Sequence, residues 1–201
     1  EKLSTLMSRF NDNVLDATNA FSVIVENENE LGGLPDDAIA AAREAAQKDG
    51  EAGWKFTLHA PSYMPVMQYA GYRPLREQLY RAYVTRASDL GGNRDWDNSA
   101  VMREILALRA EVAALLGYRS YAEVSLVPKM AQSPDEVVTF LRDMAARSKP
   151  YAERDWQELV AYARSELNMA DLDAWDVAYV SEKLRQHRYA FSDNEVKQYF
   201  P

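Results

Sequence analysis

The sequence predicts a mostly α-helical fold with at most one or two short strands. Apolar residues recur at intervals of three and four through most of the chain, which is helical spacing. Glycine, proline and capping residues punctuate those stretches at plausible helix ends. Only one stretch, GWKFTL, alternates with a period of two.

From Leu3 to about Glu28 the positions Leu3, Leu6, Met7, Phe10, Val14, Leu15, Phe21 and Val25 suggest one long helix. LGGLPDD breaks it, since paired glycines permit backbone angles that other residues resist, and Pro35, Asp36 and Asp37 suit the first turn of a new helix. That helix, AIAAAREAAQK, stops at Gly50. Between Gly53 and Leu58, Trp54, Phe56 and Leu58 alternate with polar side chains as in a strand. A lone strand cannot satisfy its own ladder, and no convincing partner is visible in the sequence. Pro61 and Pro65 bracket an expected turn before the helices MPVMQYA and PLREQLYRAYVTRAS.

DLGGNRDWDNS reads as a surface loop. After it, Val101, Ile105, Leu108, Val112 and Leu115 form one helical stripe that Gly117 terminates. Ser133, Pro134 and Glu136 make a capping box for a helix that runs to about Leu167, with a kink or break expected at Pro150. In the closing helix, Trp175, Ala178, Tyr179, Glu182 and Tyr189 fall on one side and Val177, Val180 and Leu184 on the other. Two apolar faces need two covering layers, so the helix is expected to be sandwiched within a larger body. Ser192 and Glu195 cap a further short helix. The total is about eight helices, without a solenoid repeat.

With 201 residues the chain can bury a sizeable core. Lys plus Arg number 23 against 31 for Asp plus Glu, a net charge of −8, and the basic residues alternate with acidic ones. Phosphate-backbone binding is therefore not expected, so nucleic acid is not an expected partner. No apolar run approaches the roughly 20 residues that cross a bilayer, so no membrane partner is expected. Cysteine is absent, which removes disulfides, thiolate nucleophiles and cysteine metal sites, and is compatible with a reducing cytoplasm. The first residue is Glu1, with no signal-type segment, and the chain reads as cut from a longer one.

Only two histidines are available for metal chemistry. His59 is followed by Ala60 and His187 by Arg188, so neither opens an H-E-x-x-H zinc helix. Phe56 and Leu184 stand three residues before them, where a di-iron E-x-x-H pair needs glutamate. His59 reads as a loop residue at a strand end, and His187 as a helix residue whose partial charge suits the C-terminal dipole. No G-x-S-x-G elbow occurs, and the pairs Gly32-Gly33 and Gly91-Gly92 lack phosphate-loop spacing. Tyr63, Tyr69, Tyr72, Tyr80 and Tyr83 could line a peptide groove, but helical tyrosines more often pack with the hydroxyl at the surface. No catalytic or metal-binding residue is assigned.

Taken in order, ELGGLPDD, FTLHAPSYMPVMQYA, LREQLYRAYVTRAS, ILALRAEVAALLGY, YAEVSLVPKMAQSPDEVVTFL and AWDVAYVSEKLRQHRYAFSDNEVKQYFP resemble the oligopeptidase A and thimet oligopeptidase family of zinc metallopeptidases. The resemblance runs from near Leu3 to Pro201. It implies a multi-helical, central segment of a two-lobed enzyme built around a channel that admits short unfolded peptides. It also implies zinc held by an H-E-x-x-H helix and a further Glu, C-terminal to this region, so none of those residues can be carried over.

On this basis residues 1–70 are expected in the zinc-bearing lobe, 71–175 in the opposing lobe, and 176–201 in a return toward the first. The expected role is non-catalytic scaffold in a cytoplasmic zinc endopeptidase. Its partners would be short peptides and the rest of the polypeptide, with self-association through exposed apolar surface. The alternative is a free-standing helical peptide- or protein-binding module derived from a peptidase fold. Tyr63, Tyr69 and Glu182 are the candidates for lining a channel.

Overall fold

The computed structural model describes residues 1–189. Eight α-helices and two strands are found there. They are α1 (Lys2–Ala20), β1 (Ser22–Val25), α2 (Asp36–Lys48), β2 (Trp54–Thr57), α3 (Ala60–Tyr69), α4 (Arg73–Thr85), α5 (Ser99–Leu115), α6 (Tyr121–Leu126), α7 (Pro134–Glu166) and α8 (Val177–Tyr189). Ser192, Glu195 and the helix expected after them lie outside the described residues, as does the end of the expected 176–201 return.

The chain divides into two compact units, one formed by Glu1–Ala17 and Thr85–Asp155, the other by Thr18–Val84 and Trp156–Pro201.

In the second unit the expected long first helix ends early, at Ala20, and Ser22–Val25 is a strand. It pairs antiparallel with β2 in the register Ser22↔Thr57, Val23↔Phe56, Ile24↔Lys55 and Val25↔Trp54. The strand without a partner thus has one within this chain. Phe21 and Val25 are four apart, so they fit a helical stripe, but Val23-Ile24-Val25 is a β-branched run, stiff at χ1 and at home on a pleated surface. Gly53 stands where the strands converge. Its φ is +93°, and a Cβ there would lie 2.4 Å from the Val25 carbonyl oxygen, so only glycine fits.

β1 and β2 pack with α2, α3 and α4 around Val25, Leu31, Leu34, Trp54, Phe56, Val66, Leu75 and Leu79. α3 starts at Ala60, with Pro61 in its first turn and Pro65 inside it. The turn expected between those prolines is helix, because Pro61 is tolerated where amides are orphaned and Pro65 forfeits one hydrogen bond. The Gly71 amide donates to the Gly32 carbonyl at 2.7 Å, tying the α3–α4 turn to the LGG loop. A second cluster joins Leu159 and Ala163 of α7 to Val180 of α8.

α8 is covered on both sides within its own unit. Val180 is fully buried against α7, and Tyr179 packs under Arg76 of α4. The larger body expected to sandwich this helix is therefore supplied, up to the exposed His187, Arg188 and Tyr189, by neighbouring elements of the chain itself.

The first unit has a much smaller core of Leu6, Val101 and Ile105, with Leu3, Phe10 and Leu108 packed against it. Beside it, the Asn13 amide donates to Asn98 Oδ1 at 2.8 Å, and Asn98 Nδ2 donates to the Phe10 carbonyl at 3.0 Å. This satisfied pair is buried. The α5 stripe holds at Val101 and Ile105 but fails at Leu115, which is 86% exposed.

At the start of α7 the Glu136 amide donates to Ser133 Oγ at 3.1 Å, as the capping box requires. The Glu136 carboxylate, however, accepts from the Gln132 amide. α7 runs unbroken through Pro150, so of the kink or break expected there the break does not occur. The proline costs one hydrogen bond, and residues 141–150 are all exposed, so water can satisfy the carbonyl left over.

Candidate functional site

The densest group of buried charge lies in the second unit, where the start of α8 meets the beginning of α4. Leu167 to Trp175 form a loop carrying Asp173, and Asp176 stands directly before α8. The Asp176 carbonyl accepts the Val180 amide at 2.9 Å, which makes Asp176 the helix N-cap. A carboxylate there is favoured by the helix dipole. α4 presents Arg73 and Arg76 three residues apart on one face.

Asp176 is fully buried, and Arg76 is 1% exposed. Arg76 Nη2 donates to Asp176 Oδ1 at 2.7 Å, and Arg73 Nη2 donates to Oδ2 at 2.6 Å. Arg73 Nε reaches both oxygens at 3.0 Å, and the Asp173 amide donates to Oδ2 at 3.0 Å. Arg73 also pairs with Asp173 at 2.7 Å. The remaining Arg76 donors go to main-chain carbonyls: Nη1 to Ala70 at 2.5 Å and Nε to Trp175 at 3.3 Å. Two cations and two carboxylates balance.

Aromatic rings close the group. The Arg76 guanidinium lies 4.2 Å from the Tyr179 ring centre, and Arg81 lies 4.7 Å from that of Trp175. Tyr80 meets Trp175 edge-on at 6.1 Å. Burial alone would raise the Asp176 pKa, but hydrogen bonds from Arg73 and Arg76, and the Asp173 amide, outweigh it and hold the carboxyl below its ordinary value. Asp176 is thus a saturated acceptor, held ionised, with no oxygen free to act as a base or to bind a cation.

The candidates named from sequence do not gather around this clamp as a reactive set. His59 is an exposed residue at the N-cap of α3, and its side chain makes no capping bond. His187 is exposed near the end of α8, its ring 5.4 Å from that of Tyr162. Tyr63 stacks on Tyr83 with centroids 4.5 Å apart, and Tyr69 packs against the sheet core. Glu182 is buried, and its oxygens accept from Arg185 and Gln186 at 2.8 Å. Among the described residues no group of three His, Asp or Glu side chains is placed to hold a metal ion.

Sequence reasoning missed Arg73, Arg76 and Asp176. R-x-x-R on a helix and a lone Asp before VAYV carry no local signal of pairing, and 100 residues separate Arg76 from Asp176. A single chain offers no signal for pairing across that distance.

Among the described residues the buried charges thus form a closed ionic clamp on a helical scaffold with a two-stranded sheet. The profile of peptidase family M3 matches residues 66–201, and the chain belongs to that family. Oligopeptidase A of Haemophilus influenzae is 50% identical over 201 residues, covering 100% of this chain and 30% of the relative. Oligopeptidase A of Escherichia coli is 48% identical over the same span, again 30% of its length. The Escherichia coli dipeptidyl carboxypeptidase is more distant, 27% identical over 98% of this chain and 29% of its own. The chain thus spans somewhat under a third of the length of these relatives.

Proposed function

We propose that this chain is a non-catalytic scaffold segment of a zinc-dependent endopeptidase that hydrolyses short unfolded peptides. The observation that carries the reading is identity along the whole chain to oligopeptidase A proteins of which it spans only 30%. With so much of each relative lying elsewhere, the groups that do chemistry need not be here. The two histidines sit on separate elements, both exposed, and the most buried carboxylate is filled by two arginines.

The donors among the described residues do not fit zinc. The metal needs four ligands of N, S or O type in a closed shell, or three with an open position. Asp176 is surrounded by positive charge, which repels a cation. In this reading the zinc ligands belong to another part of the polypeptide, and no step of hydrolysis passes through residues 1–189. The chain supplies packing and channel wall, contributing to both lobes. A cytoplasmic setting is supported by a relative from Arabidopsis thaliana named "Probable cytosolic oligopeptidase A". No described helix is long and apolar enough to cross a membrane.

The test is a double substitution, His59→Ala with His187→Ala, in the full-length polypeptide. Cleavage of a quenched fluorescent peptide should stay within about twofold of the unsubstituted rate, because exposed side chains outside the chemistry carry little energy. A loss of about a hundredfold or more, restored by excess zinc, would place a ligand in this chain and overturn the reading.

A further inference from the structure

Outside the clamp, the feature that no function absorbs is a groove of about 340 Å³ between α1 and α5 of the first unit. Met7, Phe10 and the polar Asn11 of α1 form one wall, and Met102, Ile105, Leu106 and Arg109 of α5 the other. Those α5 residues follow the i, i+3, i+4, i+7 spacing of a single helix face. The walls are mostly apolar but open to solvent: Met7 is 42%, Met102 44% and Leu106 64% exposed. At the Arg109 end the guanidinium lies 5.1 Å from the Tyr121 ring centre, and Arg109 Nε is buried without a hydrogen-bond partner. A buried donor left without an acceptor costs about 1–3 kcal/mol. The groove therefore presents an apolar floor that ends at the half-buried cation of Arg109.

We infer that an amphipathic helix from the part of the polypeptide outside this chain seats in the α1/α5 groove, with apolar side chains on Met7, Met102 and Leu106 and a carboxylate on Arg109. This rests on the scaffold reading, in which about two thirds or more of the polypeptide lies elsewhere, as the 30% coverage of the relatives implies. A helix suits the groove better than an extended peptide. It satisfies its own main-chain groups, whereas an extended chain would press unpaired amides and carbonyls against methionine and leucine.

Amide hydrogen exchange across 99–115 tests this, comparing the full-length polypeptide with the 201-residue chain. The Met102–Arg109 amides should exchange at least about tenfold more slowly in the full-length protein. Leu106→Glu should abolish that protection while leaving the melting temperature of the 201-residue chain unchanged, since Leu106 is exposed there. Equal exchange in the two proteins would overturn the inference. So would protection of the 201-residue chain that grows with its own concentration, which marks a second copy, or that follows addition of a short peptide, which marks a substrate subsite. Peptide cleavage by the full-length protein separates the two claims: cleavage without protection sinks the groove inference alone, and absence of cleavage sinks the scaffold reading beneath it.

Discussion

The two units of this chain solve the problem of stability differently. In the unit that contains the sheet, Phe56, Val66, Leu75 and Leu79 are buried to within a few per cent, and a closed network of two arginines and two aspartates stands beside them. In the unit that contains α5 and α6, the core is Leu6, Val101 and Ile105, while Leu106, Leu115, Val127, Met130 and Phe140 each stand more than half exposed. Single surface leucines need no explanation, but five large apolar side chains this exposed in a unit with so small a core set it apart from the other. The two units thus differ in how much large apolar side chain they leave open to solvent.

Disrupting the clamp should produce the largest effect. Asp176→Ala leaves Arg76 as a buried cation without its anion, and should destabilise the second unit by about 3–5 kcal/mol in denaturant unfolding. A change below about 1 kcal/mol would mean that water replaces the carboxylate at little cost. The same residue sets a pH dependence. Its folded pKa is depressed, so its contribution is fully present above the ordinary aspartate value of about 3.9 and is lost as pH falls through the folded value. Asp176→Asn should remove that part of the acid sensitivity, leaving a flatter stability profile below about pH 4.

Next in size is Leu79→Ala, which opens a cavity at a fully buried position and should cost about 2–5 kcal/mol. A smaller loss, about 1 kcal/mol, is expected in the first unit from Ser133→Ala, which removes the cap on α7; exchange of the first-turn amides of that helix reports it. Smallest is Leu115→Ala, expected within about 0.5 kcal/mol because the side chain already faces water. If Leu115→Ala cost as much as Leu79→Ala, the contrast between the units would collapse.

Much of this was legible in the sequence where the signal is local. The Ser133 cap, the α2 start at Asp36 and the α5 stripe through Ile105 all follow from residues within a few positions of one another. β1 was lost because Phe21 and Val25 satisfy a helical period, and only pairing with β2, some thirty residues on, reveals the strand. Pro61 and Pro65 read as bracketing a turn, where the structure has α3, because the weight of a proline's missing amide depends on where the helix starts. The clamp was invisible for the same reason at longer range: R-x-x-R and a lone Asp mean nothing until the fold joins them. Leu115 shows the opposite limit, where periodicity is right about the helix but says nothing of whether a neighbour covers it.

The most direct test of the scaffold reading is zinc content measured against protein mass for the 201-residue chain, with cleavage of a quenched fluorescent peptide followed in the same sample with and without added zinc. The reading predicts less than stoichiometric zinc and no cleavage under either condition. Stoichiometric zinc with chelator-sensitive cleavage would contradict it, and would make His59 and His187 the first residues to replace.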